Sequence, residues 1–274
     1  MCRFVSYIGE EKLLISHLID KPSNSLISQS RDARESTRGL NADGFGLAWY
    51  NHKIDLDPGI FKSTQPAWND ANLRHISNKI ASTCFLAHIR ASTVGDVTLN
   101  NCHPFYYKNY TFVHNGTIRH FEKVRRPLMN ELDEELFTEV KAQTDSEHLF
   151  FLIMQHLKSS SNANLEKAVI DSFKWIKNIQ KPYDKDNFSR LNIVITDGRE
   201  LIATRFVSKR KKTLSLYYTT HSFNEQHCIN KNMKNKAIIV ASEKLTDYKK
   251  DWHEIPVNHY LHIKTDLSFE VKHF

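Results

Sequence analysis

The chain has 274 residues, 40% hydrophobic and 25% charged, with a formal charge of +7 and four cysteines. This is an ordinary globular composition, rich enough in apolar residues for a real core. It excludes a membrane-spanning helix, since no apolar run approaches the roughly 20 residues a bilayer requires.

The opening Met1-Cys2-Arg3-Phe4 runs after only a few apolar residues into Glu10, Glu11 and Lys12. It does not read as a secretory leader, so a cytoplasmic location is expected. Cys2 to Ile8 alternates as a strand does, with Cys2, Phe4, Ser6 and Ile8 on one face and Arg3, Val5 and Tyr7 on the other. Lys12–Leu18 predicts a short helix ended by Pro22, and Gln29–Arg38 a polar loop. Strands are predicted at Phe45–Tyr50, after Asp43-Gly44, and at Phe85–Ile89 and Tyr110–Val113. The last leads into His114-Asn115-Gly116, where Asn-Gly predicts a turn.

Thr144-Asp145-Ser146-Glu147 predicts a capping box that opens a helix to about Leu157. The short polar stretch Ser159–Asn164 joins it to a second helix over Leu165–Ile179. Leu191–Ile195 and Leu201–Phe206 predict a hairpin across Asp197-Gly198, with further strands at Leu214–Tyr218 and Ala237–Ala241. Strands, then helices, then strands again is not strict βαβ alternation. It predicts an α+β fold with mostly antiparallel sheets.

The basic runs Lys209–Lys212 and Lys123–Arg126 are able to grip phosphates. A charge run alone more often marks a solvated surface, and Lys209–Lys212 lies between two strand-like runs as a hairpin tip would. No nucleic-acid partner is expected. Cys2, Cys84, Cys102 and Cys228 form no CxxC pair, so a reducing compartment with free thiols is expected and a zinc site is not.

Four pieces carry chemistry. Cys2 becomes the N-terminal residue if Met1 is removed, which puts a thiol and a free α-amine on one residue. Such an amine has a pKa near 7.7–8.0 and serves as a base for its own nucleophile. Asn115 and Gly116 offer a side-chain amide and a backbone N–H to one developing oxyanion. Arg90, at the end of an apolar strand, suits a carboxylate. Asp145, at a helix start, suits an ammonium group. Together they match an α-amino acid whose side chain carries an amide.

Order and spacing of these pieces resemble the class II glutamine amidotransferases, which are N-terminal-nucleophile (Ntn) hydrolases. The matching words are the initial Met-Cys, Gly44-Phe45-Gly46-Leu47-Ala48, His88-Ile89-Arg90-Ala91-Ser92-Thr93-Val94-Gly95, Asn101-Cys102-His103-Pro104, His114-Asn115-Gly116 and Thr144-Asp145-Ser146-Glu147. Ser25-Leu26-Ile27-Ser28-Gln29-Ser30 and Ala241-Ser242-Glu243-Lys244-Leu245 are similar to the stand-alone subfamily without a synthase domain.

The resemblance implies a four-layer αββα sandwich and a single domain over residues 1–274. It implies Cys2 as nucleophile, Asn115 and the Gly116 N–H as oxyanion hole, Arg90 and Thr93 for the substrate α-carboxylate, and the Gly116 carbonyl and Asp145 for the α-ammonium. Asn101 and His103 would fix the neighbouring loop. The substrate class is glutamine or another γ-glutamyl compound, hydrolysed with no metal or organic cofactor. Two outcomes stay open for the freed ammonia: release by a plain amidohydrolase, or delivery to a separate synthase subunit. A catalytically silent binding relative is the further alternative. Ala91 and Val94 stand where many members carry an aromatic and a His, which points to a roomier site and a larger γ-glutamyl compound. Lys244 stands where stand-alone members often have Pro.

Overall fold

The computed structural model describes residues 2–35, 40–92, 95–160, 164–183, 189–209, 213–220 and 236–274. Its first half contains β1 (Arg3–Leu14), α1 (Ser16–Ile19), α2 (Leu26–Arg31), β2 (Phe45–Trp49), β3 (Gly59–Ser63), α3 (Ala71–Ser77), β4 (Ala81–Ile89), β5 (Phe105–Tyr107) and β6 (Tyr110–Thr117). A helical stretch follows: α4 (Phe121–Glu131), α5 (Glu134–Glu139), α6 (Asp145–Ser159) and α7 (Leu165–Gln180). Then come β7 (Arg190–Thr196), β8 (Leu201–Val207), β9 (Tyr217–Thr219), β10 (Ala237–Ala241), β11 (His253–Glu254), β12 (His259–Ile263) and β13 (Phe269–His273).

Among the described residues one sheet has seven strands in the order β11-β9-β10-β1-β4-β2-β3, and the other six in the order β13-β12-β8-β7-β6-β5. Among the described residues every pairing is antiparallel. Period-two alternation sends each strand's side chains into two different layers. On β1, Phe4 and Ile8 pack with Leu86 of β4 and with Val113 and Val194 of β6 and β7, between the sheets. Val5 and Tyr7 face the other way, toward Leu18 and Ile19 of α1 and Leu26 and Ile27 of α2. On the second sheet, Phe112, Ile193 and Ile195 turn outward to Leu149, Phe150 and Ile153 of α6 and to Phe173 of α7. The layers are thus helix, sheet, sheet, helix: the expected αββα sandwich.

Two local expectations fail. Lys12–Leu18 is not a helix. β1 runs through Leu14, because Leu13 and Leu14 pair with Ser82 and Ala81 of β4, and only Ser16–Ile19 is helical. Ladder bonds of this kind override local propensity. Nor is the segment from Gln29 loop throughout. α2 holds Gln29, Ser30 and Arg31, started by the Ser25 side chain, which accepts the Ser28 amide at 3.2 Å, and anchored by buried Leu26 and Ile27. Residues 36–38 of the expected loop lie outside the described residues, as do 210–212 of the basic run and Cys228.

Further local readings hold wholly or in part. The hairpin across Asp197-Gly198 forms, with Gly198 at φ +86°. The polar stretch after Ser159 joins α6 to α7, although 161–163 lie outside the described residues. The expected strand at Leu214–Tyr218 begins only at Tyr217. Lys123–Arg126 falls on α4. No helix among the described residues is long and apolar enough to cross a membrane.

Candidate active site

Cys2 immediately precedes β1. The first ladder partner, Arg3 against Ile89, carries Cys2 to the end of β4. There its half-buried Sγ lies 3.5 Å from the Ala91 carbonyl and 3.4 Å from the Ala91 amide, which donates to it. Burial pushes the thiol above its ordinary value; the Ala91 bond and the Arg90 and Arg3 charges oppose that.

Arg90 continues β4 by one residue, its amide donating to the Gly44 carbonyl at 2.8 Å. Its buried guanidinium donates to the Asp96 carbonyl at 3.0 Å, the Ser92 hydroxyl at 3.2 Å and the Gly95 carbonyl at 3.3 Å. Asp43 accepts the Ser92 amide at 2.7 Å. Gly44, at φ +106°, takes a backbone conformation that favours glycine. Asn101 donates to the Asp96 carbonyl at 2.8 Å and accepts the Gln143 amide at 2.9 Å, tying this loop to the approach to α6. Thr93 lies outside the described residues.

Asn115 and Gly116 correct the sequence reading. They do not form a turn: both belong to β6, where Asn115 pairs with Asn192 and Gly116 with Leu191 of β7. Gly116 is required for closeness rather than for positive φ, because a Cβ there would collide with the Arg190 carbonyl. Alternation from Val113 turns the Asn115 side chain toward the space between the sheets. Asn115 is 2% exposed, and its amide Nδ2 has no hydrogen-bond partner in the protein.

Asp145 opens α6, with one carboxylate oxygen accepting the Ile118 amide at 2.7 Å and the other the Ser146 hydroxyl at 3.3 Å. The capping box is half formed. Thr144 accepts the Glu147 amide at 3.2 Å, but the Glu147 carboxylate accepts the Lys141 and Ala142 amides, at 3.1 and 2.5 Å, instead of returning the bond.

Three buried histidines lie at this end, and His88 bridges the two sheets. His88 of β4 donates through Nε2 to the His114 carbonyl of β6 at 3.3 Å. His103, next to the cis Pro104, stacks on His88 with ring centroids 4.1 Å apart. His114 donates through Nε2 to the Arg190 carbonyl at 3.1 Å, and its Nδ1 meets the Ser146 hydroxyl at 2.9 Å. Burial keeps all three neutral, pushing His88 down to about 3, His103 well below the usual range and His114 lower as well, the last opposed by Asp145.

One part of the site was not assigned from sequence. Arg3 donates from Nε to Glu243 at 2.6 Å and from Nη1 to the Cys2 carbonyl at 2.9 Å. The signal was present in Ala241-Ser242-Glu243-Lys244-Leu245, but its partner lies at the far end of the chain. Among the described residues, no group of three or more His, Cys, Asp or Glu is placed to hold a metal ion.

The family described as glutamine amidotransferases class-II matches residues 14–266. This chain belongs to that family. It is an amidotransferase-type enzyme with the fold of the Ntn hydrolases. The probable glutamine amidotransferase DUG3 of Saccharomyces cerevisiae is 35% identical to it, over 96% of this chain and 82% of that one. The gamma-glutamyl-hercynylcysteine sulfoxide hydrolase of Mycolicibacterium smegmatis is 23% identical, over 96% of each. Among solved structures, a glutamine aminotransferase class-II domain protein from Silicibacter pomeroyi superposes with a TM-score of 0.71 at 23% identity, covering 100% of this chain and 99% of the other. Glutamine PRPP amidotransferase of B. subtilis gives 0.66 at 17% identity, with 99% of this chain matched to 49% of that one.

The histidine layer gives this class II amidotransferase a defined acid sensitivity. The unfolded chain binds a proton at His88 near the ordinary value of 6.5, the folded chain only near 3. Between those values the unfolded state holds more protons, so stability is lost as pH falls, by about 1.4 kcal/mol per pH unit for one such group. From pH 6.5 to 4.5, His88 alone should remove roughly 2–3 kcal/mol, read as a lower urea midpoint. A midpoint that stays flat over this range would contradict neutral burial.

Proposed function

We propose that this amidotransferase hydrolyses the side-chain amide of glutamine or a larger γ-glutamyl compound through a γ-glutamyl thioester on Cys2. What carries the reading is the Asn115 amide. It is a buried donor without a protein partner, at the end of the sandwich where His88 and His114 join the sheets and Cys2 meets Ala91. An unpaired buried donor costs about 1–3 kcal/mol, and an oxyanion between the sheets offsets that cost.

In this reading Met1 is removed and the Cys2 α-amine takes the thiol proton. The thiolate attacks the γ-carbonyl, forming the C–S bond, and the carbonyl electrons move to an oxygen held by Asn115 and the Gly116 N–H. Collapse breaks the C–N bond, and the leaving amine takes the proton from the Cys2 α-ammonium. Water, deprotonated by the same amine, then releases glutamate and the thiol. Arg90 with Thr93 holds the α-carboxylate; Asp145 and the Gly116 carbonyl hold the α-ammonium. We read residues 1–274 as one hydrolase domain. The free thiols of Cys2, Cys84 and Cys102 suit a reducing, cytoplasmic setting. The sulfoxide hydrolase relative, named for a γ-glutamyl compound and matched over nearly its whole length, supports hydrolysis over ammonia delivery.

The test joins intact mass to glutamate release from glutamine and from γ-glutamyl dipeptides. A mass one Met short, with Cys2-dependent release that is faster from the dipeptides, is the expected result. Processed protein that releases glutamate from none of them would overturn the reading.

A further inference from the structure

The Arg3–Glu243 ion pair does more than tie β1 to the segment after β10. Both side chains are almost completely buried, at 2% and 1% exposure. Glu243 is fixed from several directions: it also accepts the Arg34 and Glu35 amides, each at 3.0 Å, and the Asn24 side-chain amide at 3.5 Å. Next to it, Ser242 brackets the following residue of β1: the Phe4 amide donates to the Ser242 hydroxyl, and the Ser242 amide to the Phe4 carbonyl, both at 3.0 Å.

Stability alone does not account for this arrangement. A buried ion pair is often no more stabilising than two well-packed apolar side chains. What an apolar pair lacks is the second arm of the guanidinium. Arg3 uses one edge for Glu243 and another for the Cys2 carbonyl, 2.9 Å away. The ladder of β1 begins only at Arg3, and a residue beyond the end of a strand frays unless it is tied down.

We propose that Arg3, oriented by Glu243, is the positioning residue of the Cys2 nucleophile: its guanidinium fixes the Cys2 carbonyl, and with it the backbone from which thiol and α-nitrogen both hang. This rests on the reading of Cys2 as nucleophile. The rigid planar fork explains why the residue is Arg and not Lys, since one ammonium does not present two donors in that fixed geometry. It also gives the late Ala241–Leu245 motif a function at the N-terminus. Ser242 aligns β1, and Glu243 aims the side chain that holds the residue just before it. A misplacement of about 1 Å at a reacting group is enough to cost 10²-fold in rate.

The experiment uses the full chain and a diazoketone analogue of glutamine, with the covalent adduct at Cys2 followed by intact mass and peptide mapping. Arg3→Lys keeps the charge opposite Glu243 and removes the second arm. Glu243→Gln keeps an acceptor and removes the charge that orients Arg3. Both should lower the maximal labelling rate about tenfold or more while the half-saturating concentration stays within about twofold. Cooperative thermal unfolding should be retained in at least one of them. Wild-type maximal rates in both variants would overturn the inference. So would a loss of rate that only tracks loss of cooperative unfolding in both, because that is what a purely structural pair predicts. A wild-type chain that labels elsewhere than Cys2 would instead sink the nucleophile reading, and this inference with it.

Discussion

Replacing Cys2 by alanine is expected to abolish glutamate release, with a loss of roughly 10⁶-fold in kcat, the scale seen when a covalent nucleophile is removed. The size of the effect follows from the chemistry assigned to one residue. In the proposed cycle Cys2 supplies the attacking sulfur, and the substitution keeps the α-nitrogen but leaves it no thiol to activate. The fold should be untouched. The side chain sits ahead of the first ladder pair, half-buried against the Ala91 backbone, and contributes to none of the apolar layers. An unchanged thermal midpoint with activity at background is therefore the expected pair of observations. Residual hydrolysis within tenfold of wild type would require a different nucleophile. Cys102 would be the first to examine, as a buried thiol whose environment includes Cys2.

Asn115→Ala should lower kcat by about 10²–10³ and leave KM close to its starting value, because the lost donor acts on charge that appears only in the transition state. Its effect on stability should be small or favourable. The wild-type amide nitrogen has no protein partner to lose, and burying it costs free energy that alanine does not. This opposition makes the variant informative. A polar residue kept for packing or hydrogen bonding predicts lower stability with kcat intact. A donor kept for an oxyanion predicts lower kcat with stability intact or improved. Steady-state kinetics with a γ-glutamyl dipeptide, alongside urea unfolding, separates the two. A kcat within threefold of wild type would remove Asn115 from the oxyanion hole.

The features that were legible in the sequence are those written locally. The alternation of Cys2 to Ile8, the buried face of Leu165–Ile179 and the Asp197-Gly198 turn each carry their own pattern over a few residues. Asn115-Gly116 carried a misleading one. The dipeptide favours turns, and only the arrival of β7, some 75 residues later, makes it strand. β3 and α4 were missed for a related reason. Gly59–Ser63 is a half-exposed outer strand with no buried face of its own. α4 shows only Phe121, Val124 and Leu128 to the core, among charged residues and an internal Pro127. At the site, residue types pointed to Cys2, Arg90, Asn115 and Asp145 because each is chemically distinctive. The Arg3–Glu243 contact spans nearly the whole chain, and no local pattern announces such a pair.

The place of β1 in its sheet bears on how the protein is made. It is an inner strand, flanked by β10 and β4, with Val5 opposite Ala241 on one side and Ala87 on the other. The first strand of this sequence is therefore completed by one of its last. At roughly 5–20 residues per second, the nascent chain carries β1 without its β10 partner for on the order of ten to fifty seconds. Throughout that interval Arg3 lacks its Glu243 partner and Phe4 its two bonds to Ser242. Once β10 docks, Ser242 bonds the Phe4 backbone and Glu243 the Arg3 side chain, so the start of β1 is ordered only when one of the last-made segments arrives.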